Sequence, residues 1–295
     1  MTKISHIKGA RQWLSLGLLG LVWGSSFILI KRGIEVYDPQ QVGAMRLSIS
    51  ALAFLPFFLI QMRRVDWSKW KPLVVVGLCG SAIPAFLFPL AQMNISSSVT
   101  GVLNSLTPLF TLLLGLLFFG RKFRMVKLLG VFIGLAGATL LILAGNEGGF
   151  QGSNIWYALL AVLATVCYAT SVNTVGTHLS NMSSLTISAI SFVIVGLPAM
   201  IYLFTTDFVE VLTNHEQGYS AFFYIALLAL AGTVLASLLF FQLVHWTSPV
   251  FASSVAYVIP LFAMGWGFLD GEAVTVFHFI SAGLILYGLY LTRGD

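Results

Sequence analysis

The 295-residue sequence predicts an all-α polytopic membrane protein, with ten transmembrane helices arranged as two inverted five-helix repeats. Three observations lead there. Charged residues make up 8% of the chain and hydrophobic ones 58%, whereas a soluble domain carries about 25% charged residues. The apolar residues gather into continuous runs of about 20, the length at which a helix crosses the hydrocarbon core. Short residue patterns in the first half recur, in order, in the second. So little charge cannot clothe a water-facing surface. This excludes a soluble globular protein, a disordered chain and a nucleic-acid binder, despite the net charge of +5. The unbroken runs exclude an outer-membrane barrel, whose strands alternate polar and apolar over about 10 residues.

The expected spans of the first half are 13–31, 40–61, 72–92, 98–119 and 126–145. Those of the second are 155–175, 184–204, 221–244, 249–269 and 274–292. Lys3, Lys8 and Arg11 precede the first span and Lys31-Arg32 close it; no small-residue cleavage site follows, so it reads as a retained helix rather than a signal peptide. The second span carries Arg46 and Leu55-Pro56, and the third follows a basic segment containing Arg63, Arg64, Lys69 and Lys71. Pro108 lies near the middle of the fourth span, which ends before Arg121, Lys122, Arg124 and Lys127. The fifth carries Gly130 and Gly134, the sixth Tyr168 to Asn173, and the seventh Leu197-Pro198. The longest connection runs from about Thr205 to Ser220, too short for a soluble domain. Pro260 and Trp266 lie in the ninth span, and Arg293 follows the tenth.

Basic residues favour the cytoplasmic side. With a cytoplasmic N-terminus, the clusters around Lys3, Arg63, Arg121 and Arg293 all fall inside, and only Lys31 and Arg32 fall outside. Both termini are therefore expected in the cytoplasm, in a multi-pass protein of the cell membrane. Residues 1–150 hold 14 of the 15 basic residues, so the second half takes its orientation from the first. Cys79 and Cys167 both fall in spans and form no disulfide framework or CxxC motif.

The internal repeat divides the chain at 1–150 and 151–295. Trp23-Gly24-Ser25-Ser26 matches Tyr168-Ala169-Thr170-Ser171; Leu55-Pro56 matches Leu197-Pro198; Leu87-Phe88 matches Leu239-Phe240; and Pro108-Leu109-Phe110 matches Pro260-Leu261-Phe262. Five spans per half is an odd number, so the second half must enter the membrane upside down. Inverted repeats of this kind are a recurring plan of secondary transporters, with a site at the midplane between the halves.

The pattern resembles the ten-helix EamA-type proteins of the drug/metabolite transporter superfamily. The residues carrying the resemblance are Leu21-Val22-Trp23-Gly24-Ser25-Ser26-Phe27, Arg46, Leu106-Thr107-Pro108-Leu109 and Ile259-Pro260-Leu261, and it covers essentially the whole chain. That family often closes its fourth and ninth spans with Gly-Glu. Gly271-Glu272 fits, but the first half reads Gly120-Arg121, which puts any paired acidic role in doubt. The resemblance implies export of small metabolites, amino acids being the commonest cargo.

Candidate substrate-binding residues are Trp23, Ser26, Arg46, Asn104, Pro108, Tyr168, Asn173, Tyr257, Pro260 and Trp266. Pro108 and Pro260 each remove a backbone hydrogen bond in mid-span, and such breaks favour cavity walls; a plain packing kink is the alternative. Ser97, Gly101, Asn104, Pro108 and Thr111 form one small, polar stripe on a helix, answered across the repeat by Ser253 and Ala256, with Tyr257 one residue on. Close helix packing through small residues is the other account of that stripe. Arg46 lies seven residues, about 10 Å, along its helix from Pro39. It either faces the cavity and attracts an anionic group, or snorkels outward or pairs with Glu35 or Asp38. Trp23, Tyr168 and Trp266 can stack on a substrate or simply pack, and Ser26 and Asn173 can bond a ligand or their own helix. Gln92, Asn94, Gln242 and His245 lie near loops and are candidate gate residues.

No Asp or Glu falls inside a span, so a buried carboxylate relay is not expected. There is no Walker motif, HExxH or glycine-rich dinucleotide turn. No cofactor, metal or catalytic residue is expected, and the transport is not driven by ATP. The expected partners are a small-molecule substrate and the lipid bilayer, with no nucleic acid. The Gly20/Gly24 and Gly130/Gly134 pairs suit internal contacts or a dimer face, leaving monomer or homodimer open. The function expected is a secondary exporter of small metabolites such as amino acids, working by alternating access. A multidrug or nucleotide-sugar exchanger is the alternative within the superfamily, and an intramembrane enzyme or structural membrane protein lies outside it.

Overall fold

A computed structural model of the chain describes residues 2–63, 65–94, 100, 103–122, 124–145, 155–259, 261–262 and 276–292. Among these the regular structure is entirely helical, with no strand. The helices are α1 (Thr2–Ile34), α2 (Pro39–Gln61), α3 (Trp70–Gly77), α4 (Ile83–Gln92), α5 (Thr107–Phe118), α6 (Met125–Gly145) and α7 (Ile155–His178). They continue as α8 (Ser184–Leu203), α9 (Phe208–Asn214), α10 (Gly218–Ala229), α11 (Ala236–Trp246), α12 (Pro249–Ser253) and α13 (Val276–Thr292). A π-helical turn, Leu78–Ala82, joins α3 to α4 without a break, and a second, Leu230–Leu235, joins α10 to α11. Among the described residues, six helices are long and apolar enough to cross a membrane: Ala10–Ile34, Pro39–Gln61, Trp67–Gln92, Trp156–His178, Ser184–Leu203 and Gly218–Trp246. Four shorter apolar helices, Thr107–Phe118, Met125–Gly137, Pro249–Ile259 and Phe279–Thr292, fall in the remaining expected spans.

Local chemistry sets the helix ends. Pro39 opens α2, where its missing N–H costs nothing, and the Gln41 side chain accepts from the Asp38 N–H at 3.0 Å. Ser183 Oγ accepts from the Thr186 N–H at 3.1 Å to cap α8, and Ser248 caps α12 ahead of Pro249. Past the end of α5, Gly120 adopts φ 60°, a conformation costly for a residue with a Cβ.

Helices of the first half pack against helices of the second. The pairs are α2 with α8, α3 and α4 with α7, α1 with α10 and α11, α5 with α12, and α6 with α13. Glycines let several of these approach closely. A Cβ at Gly196 would strike Ala51, and one at Gly130 would lie 2.8 Å from the Gly288 carbonyl oxygen. Gly20 faces Val258 and Gly134 faces the Tyr257 ring, so both GxxxG pairs contribute a residue to contacts inside the molecule. The exterior is oily: Leu14, Leu117, Phe118, Ile201 and Phe279 are each at least 70% exposed. In water such a surface would aggregate; in lipid it is the expected coat.

Beside the apolar shell, short polar links tie the chain across its loops. Tyr37 Oη donates to the Gly218 carbonyl at 2.8 Å, and burial, together with nearby Tyr219, pushes the pKa of that hydroxyl above the usual tyrosine value. Gln41 Nε2 donates to Asp207 Oδ1 at 2.7 Å. Glu35 is engaged by Arg32 in an ion pair at 3.1 Å.

Candidate functional site

A cavity, partly open to the exterior, lies between the two halves. Its wall draws on α1, α2, both π turns, α4, α7, α8, α11, the helical turn at Asn104 and the helix Pro249–Ile259. The two π turns are the feature that organises it. They stand at the same spacing in the sequence that relates Leu87-Phe88 to Leu239-Phe240, so Gly80-Ser81 and Gly232-Thr233 are repeat equivalents. All four residues line the cavity. π turns inside α-helices occur frequently at functional sites.

Each bulge glycine is pressed against a serine of the opposite repeat. A Cβ at Gly80 would collide with Ser171 Oγ, and one at Gly232 would lie 2.8 Å from Ser26 Oγ. Ser26 and Ser171 are themselves equivalents in the aromatic-small-hydroxyl-serine match. The same contact is thus made twice, once from each half. Beside it, Cys79 on the first bulge meets Cys167 on α7, both as free thiols.

Arg46 reaches into the cavity rather than outward. Its Nε donates to Thr233 Oγ1 at 2.7 Å, and Tyr168 shares the cavity wall with it. Thr233 in turn donates to the Leu228 carbonyl five residues back, at 3.3 Å, a bond that suits the widened π turn. Neither Glu35 nor Asp38 forms an ion pair with Arg46, which makes none among the described residues. Trp23 also engages the second bulge: its indole N–H donates to the Gly232 carbonyl at 2.8 Å, and its ring lies 5.2 Å from that of Phe240. Tyr168 stacks on Phe88 at 5.8 Å, which meets Phe27 edge-on at 6.2 Å. Ser26 Oγ donates back to the Val22 carbonyl of its own helix at 2.9 Å.

Asn104 lies on the wall at a break in its span. Residues 103–104 are helical, Ser105 and Leu106 turn, and the helix resumes at Thr107. Thr107 Oγ1 donates to the Asn104 carbonyl at 2.7 Å, satisfying a group the break would strand. Pro108 falls in the first turn of α5, buried and off the wall; its neighbour Thr107 takes the wall position. Ser253 and Ala256 line the opposite side, and Ser105 Oγ donates to the Ala256 carbonyl at 3.1 Å, so the two interrupted segments touch beside the cavity.

The structure therefore brings Trp23, Ser26, Arg46, Asn104 and Tyr168 onto one wall and places three other candidates elsewhere. Asn173 is fully buried between α7 and α5, its Nδ2 donating to the Thr111 and Ala169 carbonyls at 2.8 and 3.0 Å. Tyr257 turns away: its ring lies flat against Gly134, and its hydroxyl donates to the Val131 carbonyl at 2.9 Å. One residue is 100° on a helix, enough to move Tyr257 off the stripe that Ser253 and Ala256 share. Pro260 and Trp266 lie outside the described residues. Of the gate candidates, His245 lies 3.5 Å from Ser184, which also faces Gln242 at 3.5 Å. Sequence reasoning passed over Gly80, Ser81, Gly232 and Thr233, and the apolar wall formed by Phe192, Phe240 and Phe241. Aligning the halves on Leu87-Phe88 and Leu239-Phe240 would have exposed the paired Gly-Ser and Gly-Thr.

The family model described as "EamA-like transporter family" matches residues 11–143 and again 155–294. The chain is 29% identical over 283 residues to the "Uncharacterized inner membrane transporter YedA" of Escherichia coli K12, covering 94% of this chain and 89% of that protein. It is 23% identical over 158 residues to a "Probable terminal-alkyne amino-acid exporter" of Streptantibioticus cattleyicolor, about half of each chain (52% and 52%). A solved crystal structure superposes with a TM-score of 0.69 at 17% identity, covering 96% of both chains, which shows a shared fold.

Proposed function

The chain belongs to the EamA-like transporter family, and from that premise we propose that it is a secondary exporter of small metabolites, working by alternating access around the cavity between its repeats. It is a multi-pass membrane transporter. The observation that carries the finer reading is the cavity wall itself. Equivalent bulges from both halves, Gly80-Ser81 and Gly232-Thr233, meet there with the interrupted segments at Asn104 and at Ser253 to Ala256. Two similar halves around one site provide two states of similar energy, each open to one side.

Ten crossings, six by full-length helices and four by the shorter apolar ones, are supported by the match of both halves to the family. The second half then runs inverted, and the basic clusters favour cytoplasmic termini. Amino acids and related carboxylic acids are the cargo we favour; the amino-acid exporter among the relatives supports this. A multidrug exchanger is the second reading, favoured by the wealth of aromatic rings on the wall. A nucleotide-sugar exchanger needs more cationic groups than the single Arg46 of the described wall. The membrane carries the chain, and no catalysis is proposed for it. Substituting Asn104 with leucine tests the cavity. The variant should insert normally and lose most efflux of a toxic amino-acid analogue from overproducing cells. Full efflux in Asn104→Leu would remove that residue from the pathway.

A further inference from the structure

We infer that the cavity is built for net-anionic carboxylates carrying an aromatic or bulky apolar body, bound carboxylate-first on Arg46. This rests on the transporter reading above and narrows its cargo, among the amino acids and related carboxylic acids named there, to acids that carry no ammonium group.

The guanidinium is the one formal charge on the described cavity wall. It carries five N–H donors, and Thr233 Oγ1 accepts from its Nε at 2.7 Å. That bond fixes one edge of the fork. Glu35 and Asp207 are engaged elsewhere, with Arg32 and Gln41 respectively. A cation held in a low-dielectric wall without a counter-ion is costly. A ligand carboxylate arriving at the open donors removes that cost and accepts charge-assisted hydrogen bonds in a planar arrangement that suits it. A primary amide of the same shape cannot.

The wall is also one-sided. The repeat equivalent of Arg46, through the Leu-Pro match, is Ser188, a fully buried hydroxyl with no hydrogen-bond partner among the described residues. The equivalent of Thr233 is Ser81. The first half therefore brings a charge to the described wall and the second does not. Away from Arg46 the wall is aromatic, with Trp23, Phe27, Phe88 and Phe240 among its rings. No Asp or Glu is among the described lining residues, so an ammonium group on the ligand meets only hydroxyls, an amide and ring faces. The ligand that matches all three features is an acid with an apolar body and no compensating cation.

The test is calorimetric titration of the purified full-length protein with matched probes: 3-phenylpropionate against 3-phenylpropionamide, and indole-3-acetate against indole-3-acetamide. Each acid should bind about tenfold to a hundredfold more tightly than its amide, the ratio expected for charge-assisted hydrogen bonds. Phenylalanine, which adds an ammonium to the 3-phenylpropionate skeleton, should bind more weakly than that acid. Arg46→Gln should bring acid and amide to parity, and Arg46→Lys should keep a reduced preference for the acids. The acid-to-amide ratio of the wild-type protein stands as a test even where a variant fails to fold. Equal binding of acid and amide, no acid binding at millimolar concentration, tighter binding of phenylalanine, or an undiminished preference in a folded Arg46→Gln would each overturn the inference. Failure of the transporter reading looks different: acids that bind with this selectivity but never cross a proteoliposome membrane refute transport and leave the site standing.

Discussion

Replacing Gly80 with alanine drives a methyl group into the other half of the molecule. The new Cβ would collide with Ser171 Oγ and lie 3.1 Å from Ser171 Cβ, while the next neighbour, Val76 Cγ1, stays at an ordinary 3.8 Å. The clash is therefore with one side chain. Overpacking of this kind costs about 1–3 kcal/mol. Ser171 Oγ is buried and has no hydrogen-bond partner among the described residues. Its removal sacrifices no bond and discards a buried polar atom whose unpaired state costs about 1–3 kcal/mol. Ser171→Ala alone should thus leave stability unchanged or raise it. Gly80→Ala should lower the thermal midpoint by several degrees, at roughly 2–4 °C per kcal/mol, and the double variant should recover most of the loss. The coupling between the two sites should be about 1–2 kcal/mol. Thermal unfolding of the four purified proteins in one detergent, followed by tryptophan fluorescence, measures the cycle. Simple addition of the two single effects would show that span 3 and span 6 do not meet through this contact, and the paired-bulge description of the cavity would fall with it.

Two further substitutions separate packing from binding among the residues the sequence singled out. Tyr257→Phe removes the hydrogen bond to the Val131 carbonyl and should cost about 1 kcal/mol of stability, with cargo preference unchanged; an altered preference at full stability would return Tyr257 to the cavity wall. Asn173→Ala removes donors to the Thr111 and Ala169 carbonyls and should destabilise by about 1–3 kcal/mol, flux per folded molecule in proteoliposomes staying near the wild-type value. A loss of flux well beyond the loss of folded protein would assign Asn173 a direct part in transport.

The helical membrane fold was legible because lipid imposes a one-dimensional rule: about 20 apolar residues make a span. Boundaries followed as well where chemistry is local, as at Asp38-Pro39, where α2 begins. The site was legible where a residue's type conflicts with lipid. Arg46 and Asn104 could not face hydrocarbon cheaply, so they turned inward. Pro108 misled in detail, because a proline can stand just after a helix break as well as at it, and here the turn falls at Ser105 and Leu106. Tyr257 was assigned by proximity to a stripe, and a single helical step carries it onto α6 instead. The bulges escaped notice because a π turn adds one residue to a helix without changing its composition. Nothing in Leu78–Ala82 taken alone distinguishes it from the helix on either side; only its repetition does.

That repetition explains why the frame and the lining obey different rules. Alternating access asks for two arrangements of nearly equal energy, so the contacts that change between them should come in equivalent pairs. Gly80 on Ser171 and Gly232 on Ser26 are such a pair, and both lie on the cavity wall. A cargo with one charged end asks for the opposite, a wall that distinguishes its poles. Arg46 on α2 supplies that difference, since its counterpart Ser188 on α8 is uncharged and does not line the described wall. The cost of the asymmetry is reduced, because Thr233 accepts from the guanidinium at the wall. Symmetry in the backbone and asymmetry in the side chains are then separable by mutation. Substituting the bulge glycines Gly80 and Gly232 disturbs the frame, and substituting Arg46 disturbs the choice of cargo.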